Sequence, residues 1–274
     1  MMLLLGALVA TLGVLPPAAS ARSWAEFPRG GASHEYSHSL TTFSPEGELL
    51  QLEHALAAAN EAPSSLGLVG EGCVVLLGLE PEMPPLLESG TPRAMMVNEN
   101  TVAVYAGLAP DARVLAEHAQ DEGVAHEAEL GEPIPPAALA RAVAEKMQEA
   151  TQQGGTRPFG ASLIIGSCTG SANAAKPCLF QVEPSGWHCK VHATAIGAGA
   201  EQLRERLAES WQPSMSAREL EELGCRLLGE QLPRTRDMRR WRSSGTATSA
   251  VITHSGVTVR RLGIGSGDAH GEGG

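Results

Sequence analysis

Four side chains that bind metals fall close together in this sequence: Cys178, His188, Cys189 and His192. Imidazole and thiolate are common zinc ligands, and residues four apart are neighbours on a helix. On a strand, His188 and His192 would stand about 13 Å apart, at about 3.3 Å per residue, too far to share one ion. Residues 187–196 read as a strand, so no metal site is expected. A second constellation, Gly166-Ser167-Cys168-Thr169-Gly170, has the glycine spacing of a nucleophile elbow centred on cysteine. An elbow needs a strand entering and a helix leaving. The stretch 171–177 is short and closed by Pro177, so a strand end and turn is expected instead. Ile196-Gly197-Ala198-Gly199 joins a strand to a helix, as a dinucleotide fingerprint does. Gln202 stands where the third glycine belongs, and no βαβ unit surrounds it. It reads as tight packing at a turn.

Charge gives two further clusters. Glu117, Asp121, Glu122, Glu127, Glu129 and Glu132 form an acidic run without lysine or arginine, expected to be a solvated face. Arg234, Arg236, Arg239, Arg240 and Arg242 form a basic run opposed only by Asp237. It reads as a surface loop, or as a contact to an acidic partner or neighbouring subunit. The 274 residues carry 31 acidic and 20 basic side chains, a net charge of -11, which excludes a general nucleic-acid binder. An apolar content of 43% excludes wholesale disorder, and 4% aromatics makes the core aliphatic. The five cysteines are odd in number and include no C-x-x-C, so neither a disulfide framework nor a zinc ribbon is indicated.

Elements must position these residues. Residues 49–60 read as an amphipathic helix after the turn Ser44-Pro45-Glu46-Gly47. Residues 65–69 and 73–77 flank Gly70-Glu71-Gly72, and 94–97 and 102–106 flank Asn98-Glu99-Asn100, two hairpin signals. Residues 81–92 are a proline-rich loop. Helices are expected at 111–123 and, opened by Pro135-Pro136, to residue 153. Strands follow at 162–168, 178–182 and 187–196, helices at 200–210 and 217–231, and a last hairpin at 247–253 and 256–262. Hairpins make antiparallel sheets, and helix pairs between strand groups cover their outer faces. The fold class is therefore α+β, with two stacked sheets between helical layers.

The first 21 residues are uncharged, with an apolar run to Leu15, Pro16-Pro17, and then Ala19-Ser20-Ala21. They read as a cleaved secretory or organellar signal, or as a disordered extension. No other segment is long and apolar enough to cross a membrane. Residues 22–35 read as a linker, 36–262 as the folded domain, and 263–274 as a disordered glycine-rich tail.

One stretch carries a resemblance. Residues 36–56 read Y-S-H-S-L-T-T-F-S-P-E-G-E-L-L-Q-L-E-H-A-L, similar to the N-terminal signature of proteasome core α subunits. The likeness continues at 107–115 (G-L-A-P-D-A-R-V-L), 152–163 (Q-Q-G-G-T-R-P-F-G-A-S-L), Pro184-Ser185-Gly186 and 193–197. Among the α types the chain is most similar to type 2. The resemblance implies the Ntn-hydrolase fold, a four-layer αββα sandwich with an N-terminal helix. It implies a seven-membered α ring capping catalytic β rings, and entrance gating in ubiquitin-dependent protein degradation, in cytoplasm and nucleus. The implied partners are other α subunits, β subunits and a regulatory cap. No cofactor, nucleic acid or membrane is implied.

In this family α subunits release no N-terminal threonine, and Thr41-Thr42 lies inside the signature. A terminal threonine works because its own amine serves as base. No catalytic residue is therefore expected. The resemblance gives Tyr36 and Pro45 the gate's open turn, and places Glu53 on the axial face. Ser37 stands where many members have aspartate, and His54 replaces a tyrosine, a smaller side chain that titrates near neutral pH. Where members carry a pocket lysine for an activator's C-terminal carboxylate, this chain has Gly78-Leu79-Glu80-Pro81-Glu82, without a cation. Glu80 and Pro81 thus mark a degenerate pocket that repels a carboxylate. Two alternatives stay open: a diverged α-type paralogue outside the cytosol or without assembly, and a stand-alone Ntn-type hydrolase.

Overall fold

The computed structural model describes residues 42–44, 47–81, 92–153, 156–171, 174–236 and 243–264. Helix α1 (Leu50–Asn60) precedes strands β1 (Ser65–Gly70), β2 (Cys73–Pro81), β3 (Ala94–Asn98) and β4 (Thr101–Gly107). Helices α2 (Ala109–Leu130) and α3 (Pro136–Gln152) follow. Then come β5 (Ala161–Thr169), β6 (Lys176–Val182), β7 (His188–Val191) and β8 (Ala193–Ile196). The last elements are α4 (Ala200–Ser210), α5 (Ala217–Arg236), β9 (Ser243–Thr253) and β10 (Gly256–Gly263). Two five-stranded antiparallel sheets result, ordered β10-β9-β2-β1-β8 and β3-β4-β5-β6-β7.

The period of two along each strand sets the layers. In β2, Cys73, Val75, Leu77 and Leu79 pack with Leu203 of α4 and Leu220, Leu227 and Leu228 of α5. Val74 and Leu76 point the other way, against Val104, Ile164 and Leu179 of the second sheet. Tyr105, Leu163 and Ile165 turn outward again, onto Leu115 of α2 and Leu139, Val143 and Met147 of α3. The order of layers is helices, sheet, sheet, helices, the αββα sandwich of an α+β fold. Glycine lets the two sheets close: a Cβ on Gly67 would come within 2.7 Å of Ile164. Glu221 of α5 fixes a helical layer by accepting from Ser249 Oγ at 2.5 Å and from the Arg260 guanidinium. Helix α1 lies across the end of the sandwich where β4 finishes and β5 begins, burying only Ala55 and Ala59.

Three elements differ from the sequence reading. Residues 187–196 are not one strand: β7 pairs with β6, while β8 pairs with β1 in the other sheet. The chain crosses at His192, whose carbonyl accepts from Val69 N–H at 2.8 Å. Helix α2 continues through Gly123 to Leu130 and stops at Gly131, whose φ of 73° makes a left-handed cap. Helix α5 extends to Arg236, so Arg234 and Arg236 prolong a helix rather than open a loop. The rest of that basic run, residues 1–35 and the tail beyond 264 lie outside the described residues. Among the described residues no helix is long and apolar enough to cross a membrane.

Candidate functional site

The start of β1 is a buried polar cluster. Ser64 Oγ donates to the Ala198 carbonyl at 2.6 Å, and Ser65 Oγ donates to the Tyr105 carbonyl at 2.7 Å. Arg93 enters from the residue before β3. Its Nη2 donates to the Pro63 carbonyl at 2.9 Å and to Ser65 Oγ at 3.2 Å, and its guanidinium lies 4.4 Å from the Tyr105 ring centre. Arg93 is 4% exposed, and its Nε–H has no partner among the described residues. Gly78 leaves room for it, since a Cβ there would approach Arg93 Cβ at 3.2 Å. Burial disfavours the guanidinium's charge, and Tyr105 opposes that effect. A hydroxyl nucleophile needs access and a base. Ser65 Oγ is fully buried, already accepts from Arg93, and belongs to a residue whose nitrogen is an internal peptide nitrogen.

A second cluster joins two of the sequence motifs. Asp111, in the first turn of α2, accepts from Arg157 Nη1 at 2.6 Å, Arg157 Nη2 at 2.7 Å and Gly160 N–H at 2.8 Å. Burial alone would raise this carboxyl; the bonds from Arg157 and Gly160 outweigh it and hold the pKa below its ordinary value. Gly107 permits the close approach: its φ is 124°, and a Cβ would strike the Gly160 carbonyl oxygen. Leu108 N–H donates to that same oxygen at 2.8 Å.

At α1, Glu53 and His54 are exposed, while Leu49, Leu50, Leu52 and Leu56 are half-buried. The helix is preceded by a turn in which Gly47 N–H donates to the Ser44 carbonyl at 2.9 Å. Tyr36, Ser37 and Pro45 lie outside the described residues. Glu80, near the end of β2, accepts from Thr248 Oγ1 at 2.5 Å and from Arg261 Nε at 3.1 Å. The backbone of Pro81 pairs with Ser243 after a bulge. The segment 78–82 holds no cation, but the fold brings Arg261 to it from β10. Sequence reasoning missed Arg93, Arg261 and the Asp111–Arg157 pair. An arginine immediately before the apolar run Ala94-Met95-Met96-Val97 was the one available signal.

The constellations first singled out occupy separate places. Cys168 lies within β5, fully buried between the sheets, and donates to the Gly72 carbonyl at 3.5 Å. Burial pushes its thiol pKa up, the reverse of what a nucleophile needs. His188 is exposed on β7, Cys178 packs toward the α2–α3 layer, and the His192 ring stacks on Trp211 at 5.7 Å. Among the described residues no three His, Cys, Asp or Glu side chains converge on one point. Gly197 and Gly199 have φ of 91° and 68°, and Ala198 N–H donates to the Ala62 carbonyl at 2.8 Å. This turn packs against the chain leading into β1.

Comparison with known proteins matches a family model described as "Proteasome subunit" to residues 59–238. A second family model, for the N-terminal signature of A-type proteasome subunits, matches residues 36–58. The chain is 43% identical over 164 residues to the alpha type-2 proteasome subunit of Dictyostelium discoideum, covering 60% of this chain and 68% of that protein. It is 41% identical over 170 residues to the alpha type-2 proteasome subunit of Drosophila melanogaster, covering 62% and 71%. An alpha type-7 proteasome subunit of Caenorhabditis elegans is 35% identical over 179 residues, covering 65% and 70%.

Proposed function

The chain belongs to the proteasome subunit family and is of its α type, and from that premise we propose that it is a non-catalytic structural subunit. It forms, with other α subunits, the seven-membered outer ring over the β rings, and gates substrate entrance in ubiquitin-dependent protein degradation. Helix α1 carries this reading. It buries two alanines fully and leaves its leucines only partly covered at one end of the sandwich, a face that a neighbouring subunit completes. The buried, hydrogen-bonded Ser65 supports a structural rather than hydrolytic role.

In this reading Tyr36 and Pro45 shape the gate's turn, and Glu53 and His54 face the entrance. Glu80 takes the place of the activator-pocket lysine. Because Arg261 pairs with it, the pocket presents a neutral pair where the family has a cation, and attraction for an activator's carboxylate is lost. The subunit works in cytoplasm and nucleus.

The test is purification of the C-terminally tagged protein from its own organism, with native sizing and mass spectrometry of partners and N-terminus. Co-elution with α and β subunits in one large particle is expected, starting from an N-terminus other than a catalytic residue. A monomer would overturn the ring role. An N-terminus created after residue 21 would overturn the assigned compartment.

A further inference from the structure

We propose that the groove between the β3–β4 turn and the C-terminal half of α2 docks an arginine- or lysine-bearing segment of a different protein chain. The groove has a volume of about 210 Å³ and is lined by Val97, Asn98, Glu99, Val124, Glu127 and Ile134, among others. Its floor is apolar, with Val97 and Ile134 buried, and Val124 on its wall is 70% exposed. A long cationic side chain matches this pattern, with an aliphatic stem for the floor and a charge for the two rim carboxylates.

Charge argues for that occupant. Residues 114–140 carry six carboxylates and no lysine or arginine. Glu127, Glu129 and Glu132 crowd the C-terminal end of α2, which has no basic residue in its last turn. That end already carries the negative pole of the helix dipole, so these carboxylates raise the energy of the free chain, and a partner's cation lowers it. No ion pair reaches Glu99 or Glu127 among the described residues. A second copy is a poor source of the cation, because a net charge of -11 sets two copies repelling.

The groove is separate from the α1 face. Strand β4 begins at the groove with Thr101 and ends beside α1 with Gly107, about 20 Å away at 3.3 Å per residue. The inference adds a contact at the opposite end of the sheet to the assembly reading on which it rests, and the test separates the two. Photo-cross-linking p-benzoylphenylalanine is placed at Val124, or at Leu52 of α1, in the full tagged chain, and adducts are sequenced by mass spectrometry. The Val124 adduct is expected within a few residues of an arginine or lysine of a different chain. Combining Glu99→Arg with Glu127→Arg should cut its yield at least tenfold and leave the Leu52 adduct unchanged, which also shows that the variant folds. No adduct at Val124, one to a second copy, one to a segment without a cation, or a yield indifferent to charge reversal overturns the proposal. Absence of a Leu52 adduct when both glutamates are intact counts against the assembly reading instead.

Discussion

Asp111 ties the first turn of α2 to a loop 46 residues away through three hydrogen bonds, and its stability contribution depends on pH. Its carboxyl is held below the ordinary value of 3.8 in the fold. A depressed acid contributes stability that is fully present above its unfolded value and is lost as pH falls through the lower folded one. Asp111→Asn should therefore cost about 1–2 kcal/mol at pH 7, the lower end because Arg157 is largely exposed and screened. The gap between variant and parent should narrow as the pH drops below about 4, the unperturbed aspartate range. Urea denaturation at pH 7 and pH 3 checks both points, and a gap that widens in acid would refute the assignment. Both residues stand in motifs visible in the sequence, yet nothing in their spacing announces the pair. The same holds for Glu80 and Arg261, 181 residues apart. Long-range ion pairs depend on strand order, which local pattern does not encode.

Glycine separates elements that were legible from those that were not. A helix ending at Gly123 is a reasonable reading, because glycine costs about 1 kcal/mol in a helix interior. The helix passes through because Leu115 and Ala119 anchor it before that point, and Gly131 supplies a better stop. A Cβ at Gly123 would meet only Ile134, at an ordinary 3.8 Å. Gly123→Ala should thus stabilise the chain by about 0.5–1 kcal/mol. Gly107→Ala should destabilise it by about 2–4 kcal/mol, since φ is positive and the added methyl strikes the Gly160 oxygen. Thermal unfolding of the two variants side by side reads opposite signs. The β7–β8 crossing was hidden for a related reason. Residues 187–196 keep strand-like composition throughout, and only burial, alternating along β7 and continuous along the end of β8, reveals a change of sheet.

For the molecule as a whole, the layering was legible because strands such as β2 are apolar on both faces, which places a sheet between two covers. What the layers leave uncovered is the next question. The leucines of α1 are partly buried in the free chain, where Ala55 and Ala59 anchor the helix more deeply. Replacing Leu52 and Leu56 together with glutamate should therefore cost the free chain about 1–3 kcal/mol. In an assembly the same change buries two unpaired carboxylates in an apolar contact, at a cost of several kcal/mol each. Recovery of the chain in the large particle should then fall at least tenfold, while the free chain still unfolds in one cooperative step at a modestly lower midpoint. Sizing and denaturation of one preparation measure both. Undiminished assembly would remove α1 from the contact, and a matching collapse of the free chain would make the leucines part of the fold rather than of the ring.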